Sequence, residues 1–154
     1  DPSDLSGLVA LSDLVVVGTV ESVERGRRID VGDESGVESA LVTIEVETVV
    51  VGDDPGEAIV VEEEGWLPDG RRIALDGAIP TETGDRGLWF LADTGDPDSD
   101  AWVTVGRVGR WIERDGALSG PALDIPIAID LQDRPLDDVV AEIAVLPGAV
   151  VADA

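Results

Sequence analysis

The chain lacks most of the side chains that carry enzyme chemistry. Its 154 residues include no cysteine and no histidine, and also no lysine and no tyrosine. These absences exclude disulfides, thiolate sites, imidazole bases, serine–histidine nucleophiles, Schiff bases and nearly all zinc sites. Only carboxylate chemistry and oxygen-ligated metals remain, so we expect a protein that is not an enzyme and has no cofactor.

Positive charge is scarce as well. Arginine supplies all 10 basic residues against 34 acidic ones, which gives a net charge of −24. Such a charge repels nucleic acid and anionic membranes, so neither is an expected partner. The acidity has two competing explanations, namely a solvated surface typical of GC-rich or salt-adapted organisms, or a specific site for cations or a basic partner.

Long apolar runs are also missing. No run approaches the roughly 18–20 residues of a membrane span, so membrane insertion is not expected. Val, Ile and Leu are nevertheless abundant enough for a sizeable core. We therefore predict a single domain over 1–154, with a barrel core at about 13–131 and a C-terminal helix at about 135–146.

Residues 41–51 form the stretch around which the rest is organised. Apolar side chains alternate with polar ones, which is the period of a strand with one solvent-facing side. The apolar face contains Val42, Ile44, Val46 and Val50. A strand this long must twist and bend across two layers or around a barrel.

Shorter strands are predicted on both sides of this central strand. The strand at 14–23 should pair with it, because sequential strands usually neighbour each other. Gly18 within that strand indicates a bulge or the close approach of another backbone. The polar, Gly-rich segment 24–40 is predicted to be either a protruding hairpin or a mobile loop.

The remaining segments follow the same logic. Asp115-Gly116 is a type I′ hairpin signal. Alternating apolar residues at 125–131 predict an edge strand or extended arm, since Pro126 does not suit a central strand. Further strands are predicted at 58–64, 71–75, 87–92, 101–105 and 110–114.

Two helices are predicted at the ends of the chain. Residues 4–12 suit one or two helical turns. Residues 135–146 form the best helix, because Pro135 suits its first turn and an apolar face repeats at helical spacing. This face consists of Leu136, Val139, Val140, Ile143 and Leu146.

Four short motifs carry a family resemblance. They are Ser12 to Val20, Val51-Gly52, Gly84 to Leu91 and Gly106 to Ile112. Together they span roughly residues 12–113, and the pattern resembles a group of uncharacterised, exported prokaryotic β-barrel domains. The strand order is also similar to small OB-fold or netrin-like (tissue-inhibitor-type) barrels.

The resemblance implies a fold and a location. It implies a mainly β protein, a small antiparallel OB/netrin-like barrel or strongly bent sheet, that is secreted or associated with the cell envelope. The metalloproteinase inhibitors among the netrin-like proteins depend on an N-terminal cysteine, which this chain lacks, so no activity or site residue is carried over.

The acidic turn after residue 95 is a candidate calcium site. Asp96, Asp98 and Asp100 resemble the start of a calcium-binding loop, but Ala101 and Arg107 replace the glycine and glutamate of the EF-hand pattern. The alternatives are an irregular calcium site and a solvated turn. Among the other acids, Glu63 is predicted to point opposite to both of its glutamate neighbours.

Tryptophan and arginine are the candidates for partner binding. Trp66 or Trp111, if exposed beside an arginine, would suit an interface, because both residue types are common hot spots. Arg27 and Arg28 lie in the segment 24–40, where they either form ion pairs with nearby carboxylates or dock an anionic partner.

The hairpin 87–106 carries a more detailed prediction. A turn centred near residues 96–97 would place Leu91 opposite Trp102. Trp89 and Trp102 would then share one face as diagonal neighbours, both largely buried, with Phe90 buried on the other face. The helix at 135–146 is the best cover for the face outside the barrel.

These observations lead to one functional expectation and one alternative. We expect a non-catalytic, exported, acidic domain that binds a protein or a cell-surface component. The alternative is a carboxylate-based hydrolase or a calcium-dependent module.

Overall fold

The computed structural model describes residues 2–31, 34–73 and 80–146, and these form a mainly β protein. Seven strands make up one sheet. The strands are β1 (Leu14–Val31), β2 (Glu34–Val51), β3 (Ala58–Trp66), β4 (Arg86–Asp93), β5 (Trp102–Thr104), β6 (Arg110–Arg114) and β7 (Ala117–Ser119).

The first five strands close into a barrel. Their order is β1-β2-β3-β5-β4, and β4 pairs back onto β1. All of these pairings are antiparallel except that of β3 with β5. The predicted barrel and the predicted pairing of 14–23 with 41–51 are both confirmed, and closure removes the free edges that an open sheet would expose.

Strands β1 and β4 are buried on both faces over residues 14–17 and 88–91. The inward side chains form one cluster, to which Val42, Ile44, Val61 and Trp89 belong. Several outward side chains form a second cluster beneath the helices, which includes Phe90 and Trp111. Two separate cores explain why the strands at 14–17 and 88–91 are continuously apolar rather than alternating.

The central strand was predicted with one continuous apolar face, and this is wrong at its end. A register shift lies between the pairs Val17 with Thr48 and Gly18 with Val46. Because the shift is an odd number of residues, it reverses the faces. Val50 therefore joins the outer cluster, whereas Val49 packs against the inner one.

The hairpin formed by β4 and β5 keeps the predicted faces but not the predicted register. Leu91 pairs with Thr104, and Asp93 rather than Leu91 pairs with Trp102. The slip is two residues, an even number, so side chains remain on their faces. Trp89 is buried in the inner cluster and the half-buried Trp102 packs against it, while Phe90 is buried in the outer cluster. Because Trp102 lies opposite Asp93, the prediction that the two tryptophans are diagonal neighbours is wrong.

In the described part of the chain, three α-helices cover the outer cluster or border it. They are α1 (Leu5–Ala10), α2 (Pro126–Leu131) and α3 (Leu136–Ala144). Asp4 caps α1 by accepting a hydrogen bond from the Gly7 amide at 2.8 Å. Leu136, Val139 and Ile143 of α3 are buried, which confirms the C-terminal helix.

The prediction of an edge strand or extended arm at 125–131 is wrong, because this segment contains helix α2. Pro126 stands at the first turn of the helix, where a missing amide hydrogen costs nothing. Ile127 and Leu131 are four residues apart and both fully buried, whereas Ile129 is 61% exposed. The isoleucines of this segment alternate as in a strand, but the two buried residues Ile127 and Leu131 have the spacing of one helical face.

The segment 24–40 is a hairpin and not a loop. Strand β1 continues to Val31, and β2 begins at Glu34. The pairing of β1 with β4 stops at Thr19, so the outer part of the hairpin extends beyond the barrel. The predicted strand at 71–75 is reduced to a single bridge between Trp66 and Arg72, and residues 74–79 lie outside the described part.

Candidate functional site

The barrel wall has a seam between β3 and β6. Strand β5 is only three residues long, and its one pairing with β3 joins Val61 to Trp102. Beyond this point, among the described residues, the end of β3 is joined to Arg72 by a single bridge from Trp66. The amide of Ile73 donates to Gly65 at 2.9 Å, and the amide of Leu67 donates to Arg71 at 2.9 Å.

Charged side chains meet at this seam. Glu63 follows Ile59 and Val61 on the inward face of β3, and Arg110 shares the inward face of β6 with Ile112. The predicted orientation of Glu63 is therefore confirmed. We call the charged and polar residues gathered here the seam network, which comprises Glu63, Arg72, Thr81, Asp85, Arg110 and Arg114.

Thr81 is the central residue of the seam network. It is fully buried. Its hydroxyl accepts a hydrogen bond from Arg110 and also hydrogen-bonds to Glu63. Its carbonyl accepts a hydrogen bond from Arg72 at 3.1 Å. Thr81 thus joins Glu63 of β3, Arg110 of β6 and Arg72.

Asp85 fixes the end of the segment between β3 and β4. Its carboxylate accepts a hydrogen bond from the Glu82 amide at 2.9 Å and forms an ion pair with Arg114 at 3.0 Å. The Asp85 carbonyl also accepts from the Val20 amide at 2.8 Å. The segment is therefore attached to β1 and β6 immediately before β4 begins.

Burial governs the charges of the seam network. Removal from water raises the pKa of Glu63, and the nearby Arg110, the Thr81 hydrogen bond and Arg72 oppose this change. Burial likewise lowers the pKa of Arg110, against the attraction of Glu63 and Asp85. The carboxyl of Glu63 consequently takes up a proton at a higher pH than an exposed glutamate does, although two guanidinium groups face it.

Trp66 lies directly beside the seam network. The guanidinium carbons of Arg25 and Arg72 lie 4.7 Å and 4.8 Å from its ring centroid. Both distances are within the range of a cation–π contact. Arg25 also forms an ion pair with Glu38 at 3.2 Å. The half-buried indole is thus held at the base of the hairpin.

The same end of the molecule carries Arg27 and Arg28. Arg27 binds both carboxylate oxygens of Glu62, at 2.9 Å and 3.1 Å. This hydrogen-bonded pair raises the pKa of Arg27, and Asp96 of the β4–β5 loop contributes a smaller effect in the same direction. Arg28 is exposed. The hairpin and the β4–β5 loop therefore lie close together.

The structure brings together some of the predicted binding residues and separates others. Trp66, Arg27 and Arg28 occupy one end of the molecule. Trp111 is fully buried, and its indole nitrogen donates to the Val108 carbonyl at 2.8 Å, so it cannot contact a partner. The sequence did not identify Arg110 or Thr81, because nothing in their local pattern indicates that they meet Glu63.

The predicted calcium residues form a turn. The Asp96 carboxylate accepts a hydrogen bond from the Asp98 amide at 2.9 Å, while Asp98 and Asp100 are exposed. Within the described ranges, no three acidic side chains converge as metal ligands would. A groove of about 550 Å³ lies elsewhere, between the residues after β7 and helix α2, and Asp133 is its only carboxylate-bearing residue.

Comparison with known proteins adds no family. No family model and no curated protein matches the chain. In the described part of the chain, no helix combines the length and the apolar character needed to cross a membrane.

Proposed function

We propose that this chain is a non-catalytic, exported domain that binds another protein or a cell-surface component through one end of its barrel. We call this end the tryptophan–arginine surface, and it consists of Trp66, Arg25, Arg27, Arg28 and Arg72. The observation that carries the proposal is the position of Trp66, a half-buried residue whose ring centroid lies 4.7 Å and 4.8 Å from two guanidinium carbons.

The composition of this surface supports binding. Tryptophan and arginine are the residues most enriched among interface hot spots, and large rigid side chains lose little conformational entropy on binding. The ring of Trp66 is already oriented by Arg25 and Arg72. Half of the chain's 10 arginines lie at residues 25–28 and 71–72, on a molecule whose net charge is −24.

The barrel topology supports the same location. The closed order β1-β2-β3-β5-β4 agrees with the resemblance to OB-type barrels. Such barrels bind ligands along strands 2 and 3 and the loops that follow strands 1 and 4. Trp66 ends β3, and Arg27 lies in the β1–β2 hairpin near Asp96 of the β4–β5 loop.

Charge and hydrogen bonding favour a protein or a cell-surface component over other ligands. The net charge of −24 repels nucleic acid, which OB-type barrels otherwise often bind. Both seam carboxylates, Glu63 and Asp85, are engaged by arginine or by Thr81, which favours binding over carboxylate catalysis. The exported location rests on the family resemblance alone.

The test is capture from the cell-envelope fraction of the native organism, with three immobilised proteins. They are the wild type, Trp66→Ala, and Leu11→Ala, which removes a 57%-exposed side chain near the start of β1, at the other end of that strand. We expect a component retained by the wild type and by Leu11→Ala but lost with Trp66→Ala. Equal capture by all three proteins would contradict the proposed surface.

A further inference from the structure

We propose that the groove between the segment after β7 and helix α2 binds a small aliphatic cation, with its charged end at Asp133 and its apolar chain along Ile129. The groove shares no residue with the tryptophan–arginine surface, so the inference goes beyond the proposed function and does not rest on it. Its volume of about 550 Å³ lies within the range of roughly 300–1,000 Å³ that small-molecule sites occupy.

The first wall of the groove follows β7 and packs on a buried ring. A Cβ atom on Gly120 would lie 2.5 Å from two ring carbons of Trp111, so this position requires glycine. The Gly120 amide donates to the side-chain oxygen of Gln132, at the end of α2, at 3.2 Å. Contacts with Trp111 and Gln132 therefore fix this wall in relation to the helix.

The second wall is helix α2, which presents an apolar side chain to the groove. Ile127 and Leu131 are fully buried and anchor the helix, whereas Ile129 is 61% exposed. Ile129 lines the groove together with Ala122 and Leu123 of the first wall. Because removal of apolar surface from water is favourable, this lining suits an aliphatic chain.

Asp133 supplies the only charge among the lining residues. Its backbone is left-handed, with a φ of 67°, and its amide donates to the Leu118 carbonyl at 2.9 Å. The adjacent Arg134 pairs with Asp130 and Glu142 instead. Within the described residues no ion pair includes Asp133, so its exposed carboxylate can bind the positive charge of a ligand.

Charge and shape together define the class of ligand. One carboxylate beside an apolar groove matches a molecule with one positive charge and an aliphatic chain. The net charge of −24 also attracts cations to the protein and repels anions. An anionic ligand of the same length should therefore be rejected, and a neutral one should bind through the apolar contacts alone.

The test titrates isotope-labelled protein at low ionic strength with three probes of equal chain length, hexylammonium, hexanol and hexanoate. The amide NMR signals of Ala122, Leu123, Ile129 and Asp133 report binding in the groove. We expect hexylammonium to bind most tightly, hexanol more weakly and hexanoate most weakly. The absence of shifts at these residues with hexylammonium, or an equal affinity for hexanoate, would overturn the site.

Two charge variants separate Asp133 from the general negative charge of the protein. Asp133→Asn removes the carboxylate, and asparagine tolerates a left-handed backbone. Asp98→Asn removes one charge from an exposed position in the β4–β5 loop. We expect hexylammonium to bind about fivefold more weakly to Asp133→Asn, the effect of one exposed ion pair, and to bind Asp98→Asn as it binds the wild type. Equal affinity for the two variants would overturn the role of Asp133.

Ile129→Ala tests the apolar wall. The variant should fold as the wild type does, because Ile129 is 61% exposed. We expect weaker binding of hexylammonium and of hexanol, since both probes lose the same apolar contact. Unchanged affinity for both probes would overturn the placement of the chain along α2. None of these outcomes affects capture through Trp66, so the groove and the proposed function can fail separately.

Discussion

At the residue scale, Gly18 determines how closely two strands of the barrel can approach. A Cβ atom at this position would lie 2.5 Å from the Glu45 carbonyl oxygen and 2.5 Å from a methyl carbon of Ile44. The first of these atoms is backbone, which cannot rotate away. The expectation of a close backbone approach, drawn from one glycine inside an apolar strand, is therefore confirmed.

A substitution of Gly18 should show this constraint in the free energy of unfolding. We expect Gly18→Ala to destabilise the protein by about 1–3 kcal/mol, because the added methyl group has to separate β1 from β2. Thr48→Ala, an exposed substitution on β2 next to the same register shift, should change stability by less than about 0.5 kcal/mol. Urea unfolding measures both, and equal effects would show that the strands can separate freely.

Trp89 and Trp111 form a natural matched pair at the same scale. Both are fully buried, but the indole nitrogen of Trp111 donates to the Val108 carbonyl at 2.8 Å. The indole nitrogen of Trp89 has no hydrogen-bond partner in the part of the chain that the structure describes. The two substitutions to phenylalanine remove similar volumes but different polar contacts.

We expect Trp111→Phe to cost more stability than Trp89→Phe. The first leaves the Val108 carbonyl unpaired, whereas the second removes a polar group that is buried without a partner. The difference should be about 1–3 kcal/mol, the cost of an unsatisfied buried group. Thermal or chemical unfolding of the two variants checks this, and a larger loss for Trp89→Phe would refute it.

At the scale of elements, the chain shows which features a local pattern can predict. The C-terminal helix and the pairing of β1 with β2 follow from spacing and order in the sequence. The reversal of faces before Val50 does not, because a register shift depends on the partner strand. The seam network is more difficult to predict than either of these features. The alternation along β3 predicts the orientation of Glu63, but Arg110 belongs to another strand and comes near Glu63 only because the barrel closes.

Helix α2 provides a test of a segment that the sequence pattern predicts as a strand or extended arm. In a strand, Ile127 and Ile129 would share a face and contribute similarly. In the helix, Ile127 is fully buried and Ile129 is 61% exposed. We expect Ile127→Ala to cost about 2–5 kcal/mol and Ile129→Ala less than about 0.5 kcal/mol. Similar losses for both, measured by chemical unfolding, would argue against the helix.

At the scale of the whole molecule, the dominant feature is the surplus of negative charge. Several arginines join distant strands through carboxylates, as Arg86 does by binding Glu47 at 2.8 Å and Glu113 at 3.0 Å. These pairs offset charge locally. They cannot balance 34 acidic residues with 10 basic ones, so most carboxylates face like charges across the surface.

This surplus predicts a salt-dependent stability. Like charges destabilise the compact state more than the expanded unfolded chain. Added salt reduces this repulsion, because the screening length falls from about 10 Å at 0.1 M to about 3 Å at 1 M. We expect the thermal midpoint to rise clearly between low salt and about 1 M NaCl, and to rise equally in KCl, since screening does not depend on the cation. A midpoint that stays constant at neutral pH would mean that the ion pairs and the spacing of the remaining carboxylates already remove the repulsion.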